Sequence, residues 1–244
     1  MPAGRLPRRL RPMSHPAPRP AFDPRTVTTW IFDLDNTLYP AACNLFAQID
    51  ERMDRFIVDR FGLDREAAHR LRKDLLASHG TTMNGLMREH DVPAQDFLAF
   101  VHDIDLSPVE PSARLDAALH RLPGRKLVYT NGDVPHARRV LNRLGAHHHF
   151  TDIFDIVAAD YVPKPDPVPY AVLIDRLGIA PDSAVMVEDM IRNLEPAAAL
   201  GMTTIWVPSR PNWRETIQPP AYVHHVVEEL VDWLEQQAAL IPVG

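Results

Sequence analysis

Short apolar runs rich in β-branched residues alternate with stretches of helical periodicity along most of the chain. The runs that predict strands are 26–32, 126–130, 184–187 and 203–207, with a weaker candidate at 153–158. Helical periodicity falls in 112–122, 135–144, 167–177 and 194–200, and three of these stretches are followed by a glycine. Strands that alternate with helices predict an α/β fold: a Rossmann-like parallel sheet with helices on both faces.

The segment 43–108 departs from this alternation because its periodicity is helical throughout. One apolar stripe begins at Leu45 and Ile49, Asp64 is a candidate helix cap, and a further helix is predicted to start at Asp91, before Pro93. We therefore predict an all-helical cap at 43–108, inserted into a core made of 26–42 and 109–244. A last helix is predicted within 226–240, with Trp233 and Leu234 facing inward.

The first 25 residues have a different composition from the rest of the chain. They hold six arginines, seven prolines and a single acidic residue, Asp23. Prolines at this density block helix formation and sheet pairing, so we expect residues 1–25 to form a disordered tail. An arm that binds anions is the less favoured alternative.

Composition narrows the function classes further. Cys43 is the only cysteine and cannot form an internal disulfide, which favours a cytoplasmic location over a secreted, disulfide-stapled fold. No apolar stretch approaches the ~18 residues of a membrane span. The net charge of −6 also argues against a nucleic-acid partner.

The first candidate chemistry lies directly after the first predicted strand. Asp33 and Asp35 are two positions apart, so on an extended segment both carboxylates face the same side. Ligands of open α/β sheets bind at this edge, where strands end. Paired carboxylates suit a nucleophile and a proton shuttle, but a turn rich in Asp and Asn is an equally good interpretation of this segment alone.

Three later segments place further polar groups at or near strand ends. Thr130, Asn131 and Gly132 offer a hydroxyl and backbone amides suited to phosphate oxygens. Lys164 stands between two prolines, which restricts where its ammonium can point. Glu188 and Asp189 follow another strand, with Asn193 four residues further on. Together these segments favour a catalytic site.

With these polar residues at its strand ends, the chain resembles the haloacid dehalogenase superfamily. The four motifs of that superfamily match Asp33-x-Asp35-x-Thr37, Thr130, Lys164 and Glu188-Asp189 of this chain. The helical insertion after the first motif resembles the type-one cap of the superfamily. The segments 32–39, 80–86, 101–103 and 188–196 resemble its pyrimidine 5′-nucleotidase branch.

The resemblance implies catalytic roles for the two aspartates. Asp33 would attack phosphorus and become an aspartyl-phosphate, while Asp35 would protonate the leaving alkoxide and then activate water. Mg²⁺ would bind the carboxylate of Asp33, the backbone carbonyl of Asp35 and Asp189. Glu188 and Asn193 would be auxiliary contacts.

The remaining motif residues would hold the phosphate. The resemblance implies that Thr130, the Asn131 amide and Lys164 bind the phosphoryl oxygens. If Asp33, Asp35, Glu188 and Asp189 were all ionised, Lys164 alone could not balance them. We therefore expect a divalent cation and a proton on Asp35 to cancel most of the negative charge.

We expect a Mg²⁺-dependent phosphatase that hydrolyses a small phosphorylated metabolite, with a pyrimidine nucleoside 5′-monophosphate as the best candidate. The acid Asp35 favours an alkoxide leaving group over a halide, which departs without protonation. A phosphoglycolate-type phosphatase and a sugar-phosphate mutase are alternatives within the superfamily. A non-catalytic phosphate-binding module is a less favoured alternative outside enzymes.

In the cap, Thr81, Thr82 and Gly85 are the candidates for substrate binding, because a Thr-Thr-x-x-Gly turn between helices has no evident packing function. Arg192 and His90 are weaker candidates for the same pocket. The histidine triplet 147–149 could suggest a metal site, but we expect a solvated loop because three consecutive histidines cannot easily face one ion.

Overall fold

The computed structural model describes residues 22–209 and 213–242. The strands are β1 (Thr29–Phe32), β2 (Arg125–Tyr129), β3 (Phe150–Phe154), β4 (Ala184–Glu188), β5 (Thr203–Trp206) and β6 (His225–Val226). The helices are α1 (Leu45–Phe61), α2 (Arg65–His79), α3 (Thr82–His90), α4 (Ala94–Val101), α5 (Ala113–Arg121), α6 (Val134–Leu144), α7 (Pro167–Leu177), α8 (Ile191–Ala199), α9 (Trp213–Thr216) and α10 (Leu230–Ala239).

The strands form one parallel sheet in the order β3-β2-β1-β4-β5-β6. At its end β1 is flanked on both sides, with Phe32 opposite Val128 of β2 and Val187 of β4. The chain leaves β1 for one neighbour and later returns to the other side of it. Such a switch point opens a crevice at the carboxyl ends of the strands, where open α/β sheets bind ligands.

Helices cover both faces of the sheet. Side chains alternate along a strand, so apolar residues of β1 point to each face in turn and pack against the helices there. Trp30 and Phe32 of β1 pack into one apolar cluster with α5, α6 and α10, while Ile31 packs into the other with α7 and α8. All three side chains are fully buried. The predicted α/β fold class, including the inserted helices, is confirmed.

Helices α1 to α4 lie between β1 and α5 and have an apolar cluster of their own. This cluster includes Ile156, and Tyr161 packs against it; both come from the segment after β3. The inserted helices therefore pack against the loop that leads from β3 to Lys164. Within the described part of the chain, no helix has the length and apolarity needed to cross a membrane.

The start of the described chain differs from the prediction of a disordered tail through residue 25. Phe22 stacks on Trp233 of α10 with 5.8 Å between ring centroids, and it contacts the edge of Trp30 at 6.0 Å. A short 3-10 helix, Pro24–Thr26, follows it. Aromatic packing of the partly buried Phe22 therefore holds a residue that composition assigned to the tail. Residues 1–21 of that tail lie outside the described residues.

Several element boundaries also differ from the prediction. Strand β3 begins at Phe150 rather than near residue 153, and residues 225–226 form the short β6 before α10. Asp91 does not begin a helix: it ends α3 in the left-handed conformation, and α4 begins after Pro93. Asp64 does cap α2, since its carboxylate accepts the backbone N–H of Ala67.

Candidate active site

Asp33 lies at the carboxyl end of β1, at the switch point of the sheet. Its backbone N–H donates to the carbonyl of Val187, which continues the pairing of β1 with β4. One carboxylate oxygen accepts the Thr37 hydroxyl at 2.9 Å, and the other accepts Lys164 Nζ at 2.7 Å. The Asp33 side chain is thus fixed from two sides.

Lys164 lies in the segment before α7 and its ammonium is buried. Nζ donates to Asp33 at 2.7 Å, to Glu188 at 2.8 Å and to the Tyr129 carbonyl at 2.9 Å. The Asn131 side chain accepts the backbone N–H of Lys164 at 2.8 Å, which ties this segment to the end of β2. Burial opposes the charge, but Asp33 and Glu188 outweigh it and raise the pKa of Lys164 well above its usual value.

Glu188, the last residue of β4, is held by neighbours on both carboxylate oxygens. Oε1 accepts Lys164 Nζ and also Asn193 Nδ2, the latter at 2.6 Å, while Oε2 accepts the backbone N–H of Met190 at 2.7 Å. Asn193, in the first turn of α8, is buried. Glu188 and Asn193 thus form a rigid support beneath Asp33 and Lys164.

Three carboxylates converge at this edge. Oxygens of Asp33, Glu188 and Asp189 all lie within 4.8 Å of one another. Burial, followed by the charge of Glu188, raises the pKa of Asp33 to about 7. Burial, followed by the charge of Asp33, raises the pKa of Asp189 to about 8. The Oδ1 atom of Asn193 is buried with no hydrogen-bond partner in the described chain. Oxygen donors with uncompensated negative charge fit a hard divalent cation such as Mg²⁺.

The second aspartate has a separate environment that the sequence did not predict. Asp35 Oδ1 accepts the Tyr39 hydroxyl at 2.7 Å and lies 2.9 Å from His136 Nε2. The His136 ring stacks on His102 with 4.4 Å between centroids, and His102 Nδ1 lies 3.0 Å from Asp133. Asp133 also caps α6, so the N-terminus of that helix, the end of α4 and the first motif meet around Asp35.

This environment corrects the charge balance expected from the sequence. Burial alone would raise the pKa of Asp35, but His136 and the Tyr39 hydroxyl bring it below its usual value. Before a phosphate binds, Asp35 is therefore ionised near neutral pH, and the proton that we expected on it would have to be taken up together with the phosphate. The raised pKa values belong to Asp33 and Asp189 instead.

Thr130 follows β2 and is buried. It lies at the same carboxyl end of the sheet as Asp33 and Asp35. Its Oγ1 accepts the backbone N–H of Gly132 at 2.9 Å, while its own N–H donates to the carbonyl of Phe154 at 3.1 Å. Because an N–H group occupies one acceptor position of Oγ1, the hydroxyl hydrogen can be donated to a ligand.

A cavity of about 300 Å³ separates the inserted helices from this edge of the sheet, and its lining includes Asp35, Asn131, Thr81 and Thr82. Gly85 does not line it. Two of the three cap candidates thus border the same cavity as the second aspartate.

The reason given for these cap candidates is wrong, because the Thr-Thr-x-x-Gly segment does have a packing function. Thr81 caps α3 by accepting the backbone N–H of Asn84 at 3.0 Å. At Gly85, an added Cβ would lie 2.6 Å from Leu75 Cβ, so the glycine permits the close approach of α2 and α3.

A second cavity, of about 660 Å³, is lined by residues of α3 and by the segment that contains Lys164. Arg88 of α3 and Arg192 of α8 both line it. Arg192, a weaker candidate from the sequence, therefore borders the Lys164 segment, whereas His90 is not among the lining residues.

The profile of the haloacid dehalogenase-like hydrolases matches residues 27–201, which span β1 through the end of α8 and include every polar residue of the site. The chain belongs to this family. It is therefore a hydrolase of the haloacid dehalogenase superfamily, and the helices α1 to α4 interrupt its core between the first and second motifs.

Among curated relatives, this hydrolase is 26% identical over 195 residues to the Phosphate metabolism protein 8 of Saccharomyces cerevisiae, covering 71% of this chain but only 59% of the yeast protein. It is 30% identical over 192 residues to a phosphoglycolate phosphatase of Rhodospirillum rubrum, covering 72% and 77% of the two chains. Among solved structures, it resembles a haloacid dehalogenase-type phosphatase from Thermococcus onnurineus, with a TM-score of 0.62 and 18% identity. The match covers 89% of this chain and 100% of the Thermococcus chain.

Proposed function

We propose that this hydrolase is a Mg²⁺-dependent phosphatase of a small phosphomonoester, acting through a phosphorylated Asp33. The observation that carries the proposal is the contrast between the two aspartates. Asp33 lies among carboxylates beside Lys164, whereas the carboxylate of Asp35 is held apart by His136 and Tyr39. Two acids in different environments can divide the work of nucleophile and proton carrier.

In the proposed reaction, an Asp33 carboxylate oxygen attacks phosphorus and the bond from phosphorus to the leaving oxygen breaks. Asp35, ionised before substrate binds, would take up a proton when the negative phosphate binds beside it, give that proton to the leaving oxygen, and then accept one from the water that hydrolyses the aspartyl-phosphate. Lys164 and the Thr130 hydroxyl hold phosphoryl oxygens as their charge shifts. The backbone amide of Asn131 is a further donor for the same oxygens.

Asp33, Asp189 and the backbone carbonyl of Asp35 would hold the Mg²⁺ ion. When bound, the cation supplies the positive charge that lets a phosphate dianion enter this acidic pocket. Glu188 is already engaged by Lys164, Asn193 and the Met190 N–H, which supports a positioning role for it rather than direct ligation.

The family also includes dehalogenases, and Asp35 favours phosphatase chemistry over theirs. A halide leaves without a proton, whereas an alkoxide is a poor leaving group and needs an acid. A dehalogenase would have no use for a second carboxylate fixed by two hydrogen bonds in this position.

The size and charge of the cavity beside Asp35 favour a substrate whose leaving group is small and uncharged. Its volume of about 300 Å³ lies at the small end for ligand sites. Arg72 lines it, but its guanidinium donates to Asp54 at 2.6 Å and to Asp50 at 2.7 Å, which neutralises its charge. A pyrimidine nucleoside is small and uncharged, and we propose a pyrimidine nucleoside 5′-monophosphate as the substrate.

A phosphoglycolate-type substrate is the second candidate, and a specific observation supports it. Arg88 and Arg192 line the larger cavity that reaches Lys164, and a carboxylate would suit two arginines. The Rhodospirillum rubrum relative carries the name of that activity.

Initial rates with Mg²⁺ on UMP, CMP, AMP, phosphoglycolate, glucose 1-phosphate and lysophosphatidate test the proposal, with free phosphate as the readout. We expect UMP or CMP to exceed the others by about tenfold or more in kcat/KM, equivalent to about 1.4 kcal/mol of transition-state binding. A phosphoglycolate preference would select the second candidate. A sugar phosphate consumed without phosphate release would indicate a mutase, and Mg²⁺ and phosphate binding without turnover a binding module.

A further inference from the structure

The histidine triplet does not form the solvated loop expected from the sequence. After α6 ends, His147–His149 forms a 3-10 turn immediately before β3. His148 Nε2 lies 3.1 Å and His149 Nε2 2.7 Å from the same oxygen of Asp116. Two of the three histidines therefore do face one point.

Donor atoms of Asp116, His148 and His149 all lie within 4.8 Å of one another. In a tetrahedral zinc site, two donors each 2.0–2.1 Å from the ion lie about 3.3 Å apart. The nitrogen–oxygen distance of His148, 3.1 Å, is about 0.2 Å shorter than that separation, and that of His149, 2.7 Å, is about 0.6 Å shorter. An ion could be accommodated by a small outward movement of the rings.

The two histidines differ in exposure: His149 is held in place by burial, whereas His148 is accessible to solvent and to an incoming ion. The His149 side chain is 7% exposed and the His148 side chain 65% exposed. His120, one turn beyond Asp116 on α5, has its ring centroid 6.2 Å from that of His149.

We propose that Asp116, His148 and His149 bind a borderline transition-metal ion, Zn²⁺ in particular. Two imidazoles and one carboxylate suit zinc, copper and nickel, whereas Mg²⁺ prefers oxygen donors alone. The ion would join α5 to the turn that leads into β3, and water would complete its coordination.

This site is distinct from the candidate active site. The proposed zinc site precedes β3, whereas Asp33 follows β1 in the same parallel sheet. The zinc site therefore lies at the amino ends of the strands and Asp33 at their carboxyl ends. The five residues of β3 correspond to a separation of about 16 Å along the strand direction. The ion would therefore stabilise the fold rather than take part in hydrolysis.

Calorimetric titration of the full chain with Zn²⁺ tests the proposal, with excess Mg²⁺ present to occupy the carboxylates near Asp33. We expect one site per chain, and a dissociation constant at least about tenfold larger in His149→Ala and in Asp116→Asn. His147→Ala is the matched control, because its ring lies outside the cluster, and it should bind as the wild type does. Zn²⁺ should also raise the Tm of the wild type and of His147→Ala.

His148→Ala guards against misfolding of the other variants, since its side chain is largely exposed. It should weaken Zn²⁺ binding at least about tenfold while hydrolysis with Mg²⁺ stays at the wild-type rate. The proposal is overturned if no Zn²⁺ site is seen in the presence of Mg²⁺. It is equally overturned if binding persists undiminished in Asp116→Asn and His148→Ala.

Discussion

His136 Nε2 lies 2.9 Å from Oδ1 of Asp35, although 101 residues separate the two in sequence. The His136 side chain is fully buried, and its Nδ1 has no hydrogen-bond partner among the described residues. The contact with Asp35 is therefore the polar anchor of this ring, with Nε2 carrying the hydrogen that Asp35 accepts. Through it the first turn of α6 orients the proposed proton carrier.

We predict that His136→Leu lowers kcat by about 10- to 100-fold with little change in KM, because a misoriented acid slows the chemical step more than it weakens binding. His136→Gln, which keeps a donor near the Nε2 position, should recover part of the loss. Tyr39→Phe removes only the other hydrogen bond to Asp35 and should cost less. Steady-state kinetics with circular dichroism as a folding control measures this; a wild-type kcat in His136→Leu contradicts it.

Removal of Asp35 should have an effect that depends on the leaving group. We predict that Asp35→Asn lowers the rate on an alkyl phosphate by about 10²-fold or more, because the alkoxide then leaves unprotonated. p-Nitrophenyl phosphate has a leaving group that is stable as an anion, so the burst of p-nitrophenolate that accompanies phosphorylation of Asp33 should slow much less, although the later hydrolysis step also loses its base. Asp33→Asn is the contrast, since loss of the nucleophile should abolish turnover of both esters. Equal losses in the phosphorylation step of both esters in Asp35→Asn would refute the acid role.

Chelation should remove nearly all activity. Asp33, Glu188 and Asp189 converge within 4.8 Å, with Lys164 as the one ammonium that contacts them in the described chain. Without a cation, a phosphate dianion would meet net negative charge. We predict near-complete loss of hydrolysis in excess EDTA and recovery on adding Mg²⁺. Full turnover by protein shown by elemental analysis to be metal-free would exclude the proposed scheme.

The site motifs could be predicted from sequence because the strands that carry them can be. Asp33, Thr130 and Glu188 each stand where β1, β2 or β4 ends, and parallel strands bring their carboxyl ends to one edge. Lys164 follows no strand directly, and only the family resemblance pointed to its role. The fold class came from the same alternation of strands and helices.

Contacts between distant segments could not be predicted in this way. The pairing of Asp35 with His136 depends on how α6 lies against the first motif, and neither segment carries a local pattern for it. Phe22 looked like part of a tail because nothing near it in sequence shows that Trp233 will cover it. The Asp116–His149 contact joins residues 33 apart in the same manner.

Gly85 tests whether close packing or helix propensity decides stability in the cap. Alanine is the better helix former by about 1 kcal/mol, so propensity alone predicts that Gly85→Ala stabilises the protein. The added Cβ would lie 2.6 Å from Leu75 Cβ, however, and that atom is attached to the α2 backbone and cannot rotate away. Overpacking of this kind costs about 1–3 kcal/mol.

We therefore predict that Gly85→Ala lowers the free energy of unfolding, and that Gly85→Val lowers it further. Urea unfolding followed by circular dichroism measures both. Arg88→Ala, an exposed change on the same helix, should stay within about 0.5 kcal/mol of the wild type. Because α3 also carries Thr82, which borders the cavity beside Asp35, the shift that relieves the Gly85→Ala contact should raise KM more than it lowers kcat. A more stable Gly85→Ala protein would mean that α2 and α3 do not pack this closely.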